Sequence, residues 1–324
     1  MAATEITVII PTYNRVDRLV RCLEALERQT LDGSRVEILV VDDGSNDGTG
    51  ESVRPFLSDA RIRYFRQPNS GPARARNVGI RAATGRLLLF IGDDIMATPH
   101  LLERHIACHE RTQGGPVAVV GLTEWSNRTE ITPLMRYPAK GAGSQFAYHE
   151  IERGLADPND LPYRFFYTSN ASIARAFLLE NDLFFDEEFV DAMGEDGELA
   201  YRMQQKGLRL VYEPAAMAYH EHPVTFESTC RRSFLLGKVA VLQARKHPEW
   251  ADLQFLDLRW RGRARRAFRR WAARVLSPLL RLADERRWDI QRLGLHRMYD
   301  FVFDVHTFEG LLHGLHVYGA GPRR

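Results

Sequence analysis

Two pairs of adjacent carboxylates have residue types and spacing suited to chemistry: Asp42-Asp43 in VVDDGSNDG and Asp93-Asp94 in FIGDD. Each pair directly follows a short apolar run. Carboxylates packed together repel one another and need a cation or protons to coexist. A hard divalent ion that also bridges phosphate oxygens meets that need most simply. Asp and Gly favour turns as well, so either pair alone also suits a plain loop. Two pairs at the ends of apolar runs argue for one shared crevice. A third acidic group, GEDGE at 194–198, stands at the start of a helical pattern. Acids there can simply favour the helix amino terminus, or one of them can deprotonate an acceptor hydroxyl. His220 and His222 share one face if the chain is extended, where either could meet a metal or serve packing. The segment NSGPARARN at 69–77 offers a glycine for close approach and a helix amino terminus able to receive a phosphate. Arg74 and Arg76 are two apart on that helix, so at most one of them faces a crevice.

These groups need elements to position them. Apolar runs at 6–11, 36–41, 62–65, 86–91 and 117–121 read as strands, and helical periodicity spans 17–29, 49–57, 72–83 and 99–111. Such alternation predicts an α/β fold: a Rossmann-like, mostly parallel central sheet flanked by helices. Ligands of such sheets bind beyond the carboxyl ends of the strands, where Thr12–Arg15, Asp42–Ser45 and Gly92–Asp94 fall. The stretch 126–164 is rich in Pro, Gly and aromatic residues with little periodicity, 165–174 reads as a return to the sheet, 196–206 as a helix and 209–212 as a strand. Beyond 227 the pattern is helical almost to the end.

The chain has 324 residues, 44% hydrophobic and 27% charged, which excludes a disordered or fibrous protein. Cys22, Cys108 and Cys230 are widely spaced, so neither a disulfide framework nor a cysteine-rich zinc site is expected, and a reducing cytoplasm is the expected location. No leader peptide is expected at the amino terminus, and no run approaches the ~18 unbroken apolar residues of a membrane span. The net charge of +2 hides an asymmetry. Between 259 and 287, eleven arginines stand against Asp284 and Glu285, which leaves the rest of the chain mildly acidic. Trp260, Ala264, Ala267, Phe268, Trp271 and Val275 recur there at helical spacing, and Ser277-Pro278 is expected to end or kink the helix. The segment fits two placements: an anionic membrane surface, peripheral to the inner face of the cell membrane, or packing against the catalytic domain or another subunit. His306, His313 and His316 in the tail could bind a metal, although scattered helix-face histidines more often serve structure.

Taken in order, VIIPTYNR (8–15), VVDDGSNDGT (40–49), NSGPARARNVGIRAATG (69–85), LLLFIGDD (87–94), TSNASIAR (168–175), FDEEF with GEDGELAYRMQQKG (185–207) and LVYEPAAMAYH (210–220) resemble glycosyltransferase family 2, with its A-type nucleotide-sugar fold. The resemblance covers roughly residues 5–240. It implies a catalytic domain over 1–240, with a nucleotide-sugar half to about 125 and an acceptor half after it, followed by a helical extension over 241–324. It also implies a nucleotide-diphosphate-sugar donor (a UDP-sugar favoured), Mg²⁺ or Mn²⁺, and inverting transfer to a hydroxyl of a glycan or lipid-linked acceptor, as in cell-envelope polysaccharide assembly.

Carried over by position, Pro11, Thr12, Tyr13 and Arg15 would line the nucleoside pocket. Asp42 would bind base or ribose with Asp43 as support, and Arg76 and Asn77 match the donor-site helix. Asp94, with Asp93 beside it, and His220 would lie at the metal and diphosphate. Asp196 would be the base and Glu195 would orient the acceptor. Arg231 or Arg232 would close over the diphosphate. The chain departs from the family pattern at Gly92, where an acid is common. Two other readings compete. One is a catalytically inactive nucleotide- or sugar-binding scaffold. The other is a nucleotidyltransferase, which PTYNR does not suit because a glycine-rich basic loop is expected there. A nucleic-acid partner is not expected, and a homo-oligomer is compatible with the sequence.

Overall fold

A computed structural model describes residues 4–136, 146–250, 262–290 and 292–319. Its elements run β1 (Ile6–Thr12), α1 (Val16–Glu27), β2 (Val36–Asp42), α2 (Thr49–Val53), β3 (Ile62–Arg66), α3 (Pro72–Ala82), β4 (Leu87–Ile91), β5 (Ile95–Ala97), α4 (Leu101–Arg111) and β6 (Val117–Trp125). They continue α5 (Pro133–Arg136), α6 (Tyr148–Glu152), β7 (Asn170–Ala174), α7 (Arg175–Glu180), α8 (Glu195–Gln205), β8 (Arg209–His220), α9 (Phe226–Lys246), α10 (Arg263–Glu285) and α11 (His296–Tyr318). The chain divides into two compact units, 1–129 with 146–222, and 130–145 with 223–324. The division thus falls ahead of α9 rather than near residue 240, because α9 runs through that position without a break.

The first unit is an α/β sandwich around one sheet of order β3-β2-β1-β4-β7-β6-β8-β5. β3, β2, β1 and β4 are mutually parallel, as are β6 and β8. β7 lies antiparallel between β4 and β6, and β5 is antiparallel to β8. The central strands are buried along almost their whole length and mostly apolar because both faces are covered, with Thr7 donating to Glu37 inside the sheet. Ile6, Val8 and Ile10 of β1 join Leu19, Leu23 and Leu26 of α1 and Leu102 and Ile106 of α4 on one face. Ile9 joins Ala73 and Ile80 of α3 and Leu199 and Met203 of α8 on the other. Strand alternation therefore sorts the two cores residue by residue.

Four expectations differ from the structure. β6 runs beyond the expected 117–121 to Trp125. β8 extends from the expected 209–212 to His220. The helix expected over 49–57 stops at Val53 and tightens into a 3₁₀ turn over Arg54–Ser58, where Pro55 lacks the amide that an α-helix would use. Pro278 neither ends nor interrupts α10. Trp260, at the start of the arginine-rich segment, lies outside the described residues.

The second unit is helical. Phe226, Leu280, Tyr299, Val302 and Phe303 form its core, and the Tyr299 hydroxyl donates to the Leu280 carbonyl at 2.7 Å. Thr225 and Ser228 form a capping box at the start of α9. α9 and α11 approach backbone to backbone: a Cβ on Gly237 would lie 1.8 Å from the Thr307 carbonyl oxygen, and one on Gly310 the same distance from that of Phe234. All three cysteines are buried and free. Among the described residues, no helix is long and apolar enough to cross a membrane.

Candidate active site

The carboxyl ends of β1, β2 and β4 place three loops side by side. Thr12 stands opposite Asp42 in the β1–β2 register. Asn14 takes a positive φ of 52°, which Asn tolerates better than most residues. Its amide donates to Ser45 Oγ (2.9 Å) and its Oδ1 accepts from the Asn46 amide (2.8 Å), tying the β1 loop to the β2 loop.

Asp42 and Asp43 are both buried and both engaged by protein donors. Asp42 accepts from the Ser45 amide at 2.8 Å and from the Tyr64 hydroxyl. Asp43 accepts from Gln67 Nε2 (2.6 Å), Asn69 Nδ2 (3.2 Å) and the amides of Ser70 and Gly71 (both 2.8 Å). These bonds fix the turn into α3, where Gly71 has φ 92° and no room for a side chain against the Val190 carbonyl. Pro11 is half-buried, whereas Tyr13 is 47% exposed.

The second carboxylate pair follows β4. Asp93 accepts from the Thr12 hydroxyl (2.8 Å) and from Arg15 Nη1 (3.1 Å), which also donates to Asp94 Oδ2 (2.9 Å). β5 aligns Ile95 with His220, so Asp94 meets the end of β8, and the Glu221 amide donates to the Asp94 carbonyl at 2.8 Å. Asp94 Oδ2 lies 3.3 Å from His220 Nε2 and 3.6 Å from His222 Nδ1. The three side chains can offer ligand atoms all within 4.8 Å of one another. One carboxylate oxygen and two imidazole nitrogens form a donor set that fits a divalent transition-metal ion.

Trp125, paired with His220 across β6 and β8, stacks on it at 5.4 Å, and His222 stacks on His220 at 5.6 Å. Burial, with His220 and the nearby arginines, lowers His222 to about 4 against the pull of Asp94. Arg18 Nη1 donates to its Nδ1 at 2.9 Å, since a guanidinium cannot accept. Burial and the adjacent Asp94 raise Asp93 to about 6, against the pull of Arg15. Asp94 is held well below the usual carboxylate range by His220 and Arg15, which outweigh its burial. A Cβ at Gly92 would lie 2.7 Å from Asp94 Oδ1, so a side chain there would press on that carboxylate.

The third acidic group starts α8. Of the two arginines on α3, Arg76 turns inward and Arg74 outward, as their spacing requires. Arg76 Nη1 donates to Glu195 Oε1 at 2.9 Å and lies 3.7 Å from Asp196 Oδ1. Burial and Asp196 push Glu195 up to about 7 against Arg76. Asp196, with its side chain 27% exposed, accepts from the Thr168 amide at 3.0 Å, and the Thr168 hydroxyl lies within 2.9 Å of both its oxygens. Asn77 accepts from the Phe185 N–H (2.9 Å) and donates through Nδ2 to the Phe185 carbonyl (2.8 Å) and to Glu187 Oε1 (3.0 Å), so the bonds it makes support the loop ahead of α8. Arg231 and Arg232 lie exposed on α9, in the other unit.

The sequence reading passed over Thr168, Trp125 and Arg18. Thr168 stands 28 positions from its partner, and only the fold joins them. Trp125 depends on a β6 and a β8 both longer than the sequence suggests.

Residues 7–173, just over half the chain, match the family model described as "Glycosyl transferase family 2". The chain is 29% identical over 263 residues to YfnE of Bacillus subtilis, named as an uncharacterized glycosyltransferase, covering 68% of this chain and 66% of that one. It is 32% identical over 220 residues to validoxylamine A glucosyltransferase of Streptomyces hygroscopicus, covering 63% and 52%. The match thus spans about half to two thirds of the length of these curated relatives. A mannosyltransferase of Pyrobaculum calidifontis, solved with GDP-Man and Mn²⁺, aligns over 97% of this chain and 88% of its own with a TM-score of 0.64. At 19% identity, that likeness is one of fold.

Proposed function

The chain belongs to glycosyltransferase family 2, and from that premise we propose that it is an inverting, metal-assisted transferase moving a sugar from a nucleotide-diphosphate donor to a hydroxyl of a glycan or lipid-linked acceptor. One observation carries the reading: Asp94, His220 and His222 gather at the carboxyl end of the sheet, in the same unit as the Arg76–Glu195–Asp196 cluster.

Asp94, His220 and His222 would hold a divalent ion, which when bound supplies positive charge for the leaving diphosphate. Two nitrogen donors favour Mn²⁺ over Mg²⁺, which prefers an all-oxygen shell. Arg15 adds positive charge beside the same carboxylates. Pro11, Thr12, Tyr13, Asp42 and Asp93 border the nucleoside, Asp43 and Asn77 support the loops around it, and a UDP-sugar is the favoured donor. Asp196 takes the acceptor proton as the oxygen attacks the anomeric carbon. Its carboxylate is aimed by Thr168, and Arg76 links it to Glu195, which orients the acceptor. Cell-envelope glycan or glycolipid assembly is the favoured setting, and the three free cysteines favour a reducing, cytoplasmic location for the transferase.

The test is transfer by the wild-type protein and by Asp196→Asn, with the anomeric configuration of the product read by NMR. An α-linked donor should give a β-linked product. Asp196→Asn should lose at least about 10²-fold in turnover, the lower range for a general base, while donor binding stays nearly unchanged. Near-normal turnover of that variant would remove the base assignment. Donor binding without any transfer by the wild type would favour the inactive scaffold.

A further inference from the structure

α10 has two apolar faces but only one core. Ala273, Leu280 and Ala283 are buried within the second unit, with Leu276 packed beside them. Phe268, Trp271 and Val275 are 62%, 59% and 57% exposed, and Leu279 and Leu282 follow at 40% each. At 100° per residue these five side chains fall within an arc of about 80°, a stripe roughly 21 Å long. Scattered exposed apolar residues are ordinary, whereas a continuous line of two aromatic and three aliphatic side chains marks a contact surface.

The charge on the same helix says what the surface meets. Between Arg263 and Ala283 the sequence has seven arginines and no acid. Six of them fall in the first twelve residues, against the helix dipole, which costs stability unless anions lie alongside. Arg265, Arg270, Arg274 and Arg281 are exposed. Arg270 reaches Glu309 at 2.9 Å, and Arg281 pairs with Glu227. Two copies of this face would bring like charges together. A nucleic acid would use the arginines and stack on the aromatic rings, but leaves Val275, Leu279 and Leu282 without a role. An apolar stripe bordered by arginines matches the boundary between acyl chains and anionic headgroups.

We infer that α10 docks this protein on an anionic lipid surface, with Phe268, Trp271, Val275, Leu279 and Leu282 entering the headgroup boundary and the arginines meeting phosphate. The test is co-sedimentation of the full chain with vesicles of phosphatidylcholine alone, and with about a third phosphatidylglycerol, at low salt and at about 0.5 M NaCl. Binding should require the anionic lipid and fall with salt. Phe268→Glu with Trp271→Glu should weaken it at least about tenfold. Arg265→Ala and Arg274→Ala should each weaken it about fivefold, from roughly 1 kcal/mol per arginine at an anionic surface. Because these positions are exposed, thermal melts should match wild type, which separates lost docking from lost folding. The inference is overturned by absence of binding to anionic vesicles at low salt. Equal binding to neutral vesicles, or full binding by the double glutamate variant, also overturns it. So does a dimer, or an oligonucleotide complex, that these variants disrupt while vesicle binding is absent.

Discussion

At the scale of single residues, the two acidic clusters are built differently. Asp94 is ringed by cations and imidazoles, whereas Asp196 is held by neutral donors from Thr168 with Arg76 just beyond hydrogen-bond reach. Thr168→Val should therefore cost turnover more than donor affinity: roughly 10-fold or more in kcat, from lost aim of the base, with KM for the donor within about twofold. Thr168→Ser should recover most of it, and equal losses in both variants would contradict a positioning role. Gly92→Ala places a methyl group against Asp94 Oδ1, so Mn²⁺ affinity in a direct titration should fall about tenfold or more. Unchanged affinity would show that Asp94 has room to move. The acids themselves were legible in the sequence because their types are unusual after apolar strands. Their partners were not: Thr168, Arg18 and Trp125 are ordinary residues whose proximity the fold alone creates.

At the scale of elements, the reversed strand β7 is secured by a buried polar chain. His105 of α4 lies between Asn170 Oδ1 and Ser172 Oγ, both at 2.8 Å, and His109 Nε2 meets the same Ser172 oxygen at 2.9 Å. Asn170 Oδ1 can only accept, so His105 has its proton on Nε2 and takes the Ser172 hydroxyl at Nδ1, while His109 donates to Ser172. Asn170 Nδ2 donates to the carbonyls of Leu122 and Ala216, joining β6, β7 and β8. Burial lowers His105 to about 4 and His109 to about 3. Below an unfolded value of about 6.5 the unfolded chain takes up protons that the folded chain refuses. Stability should therefore fall as pH drops from about 6.5 toward 4 and level off below the folded values. Urea denaturation across that range checks it. His105→Gln should lower the starting stability but make the fall shallower, and an equally steep fall would contradict the assignment. Strands with continuous apolar runs were legible because burial on both faces needs them. β5, at three residues, is too short for any period, and β7's direction is set by pairing rather than by its own composition.

At the scale of the whole molecule, a nucleotide-sugar transferase fold in one compact unit is joined in sequence to a separate helical unit. The second unit is stabilised by glycines that let α9 and α11 touch, so Gly237→Ala should destabilise it by several kcal/mol through backbone overlap, read as an early transition in thermal melts. A wild-type melt in that variant would mean that the helices separate at little cost. The helical content of this region was legible from its periodicity. The division ahead of α9 was not, because the helical pattern continues across residue 240 with no change in composition. Asp94, His220 and His222 are proposed to bind a divalent ion together with a nucleotide sugar. The most direct measurement is a thermal-shift panel of UDP-, GDP-, dTDP- and CMP-sugars, each with and without Mn²⁺, on wild type, Asp94→Asn, His220→Ala and Asp196→Asn. An Mn²⁺-dependent rise in melting temperature is expected with one nucleotide class, lost in the first two variants and retained in the third. A shift that needs no metal and survives Asp94→Asn, or no shift with any sugar nucleotide, would contradict it.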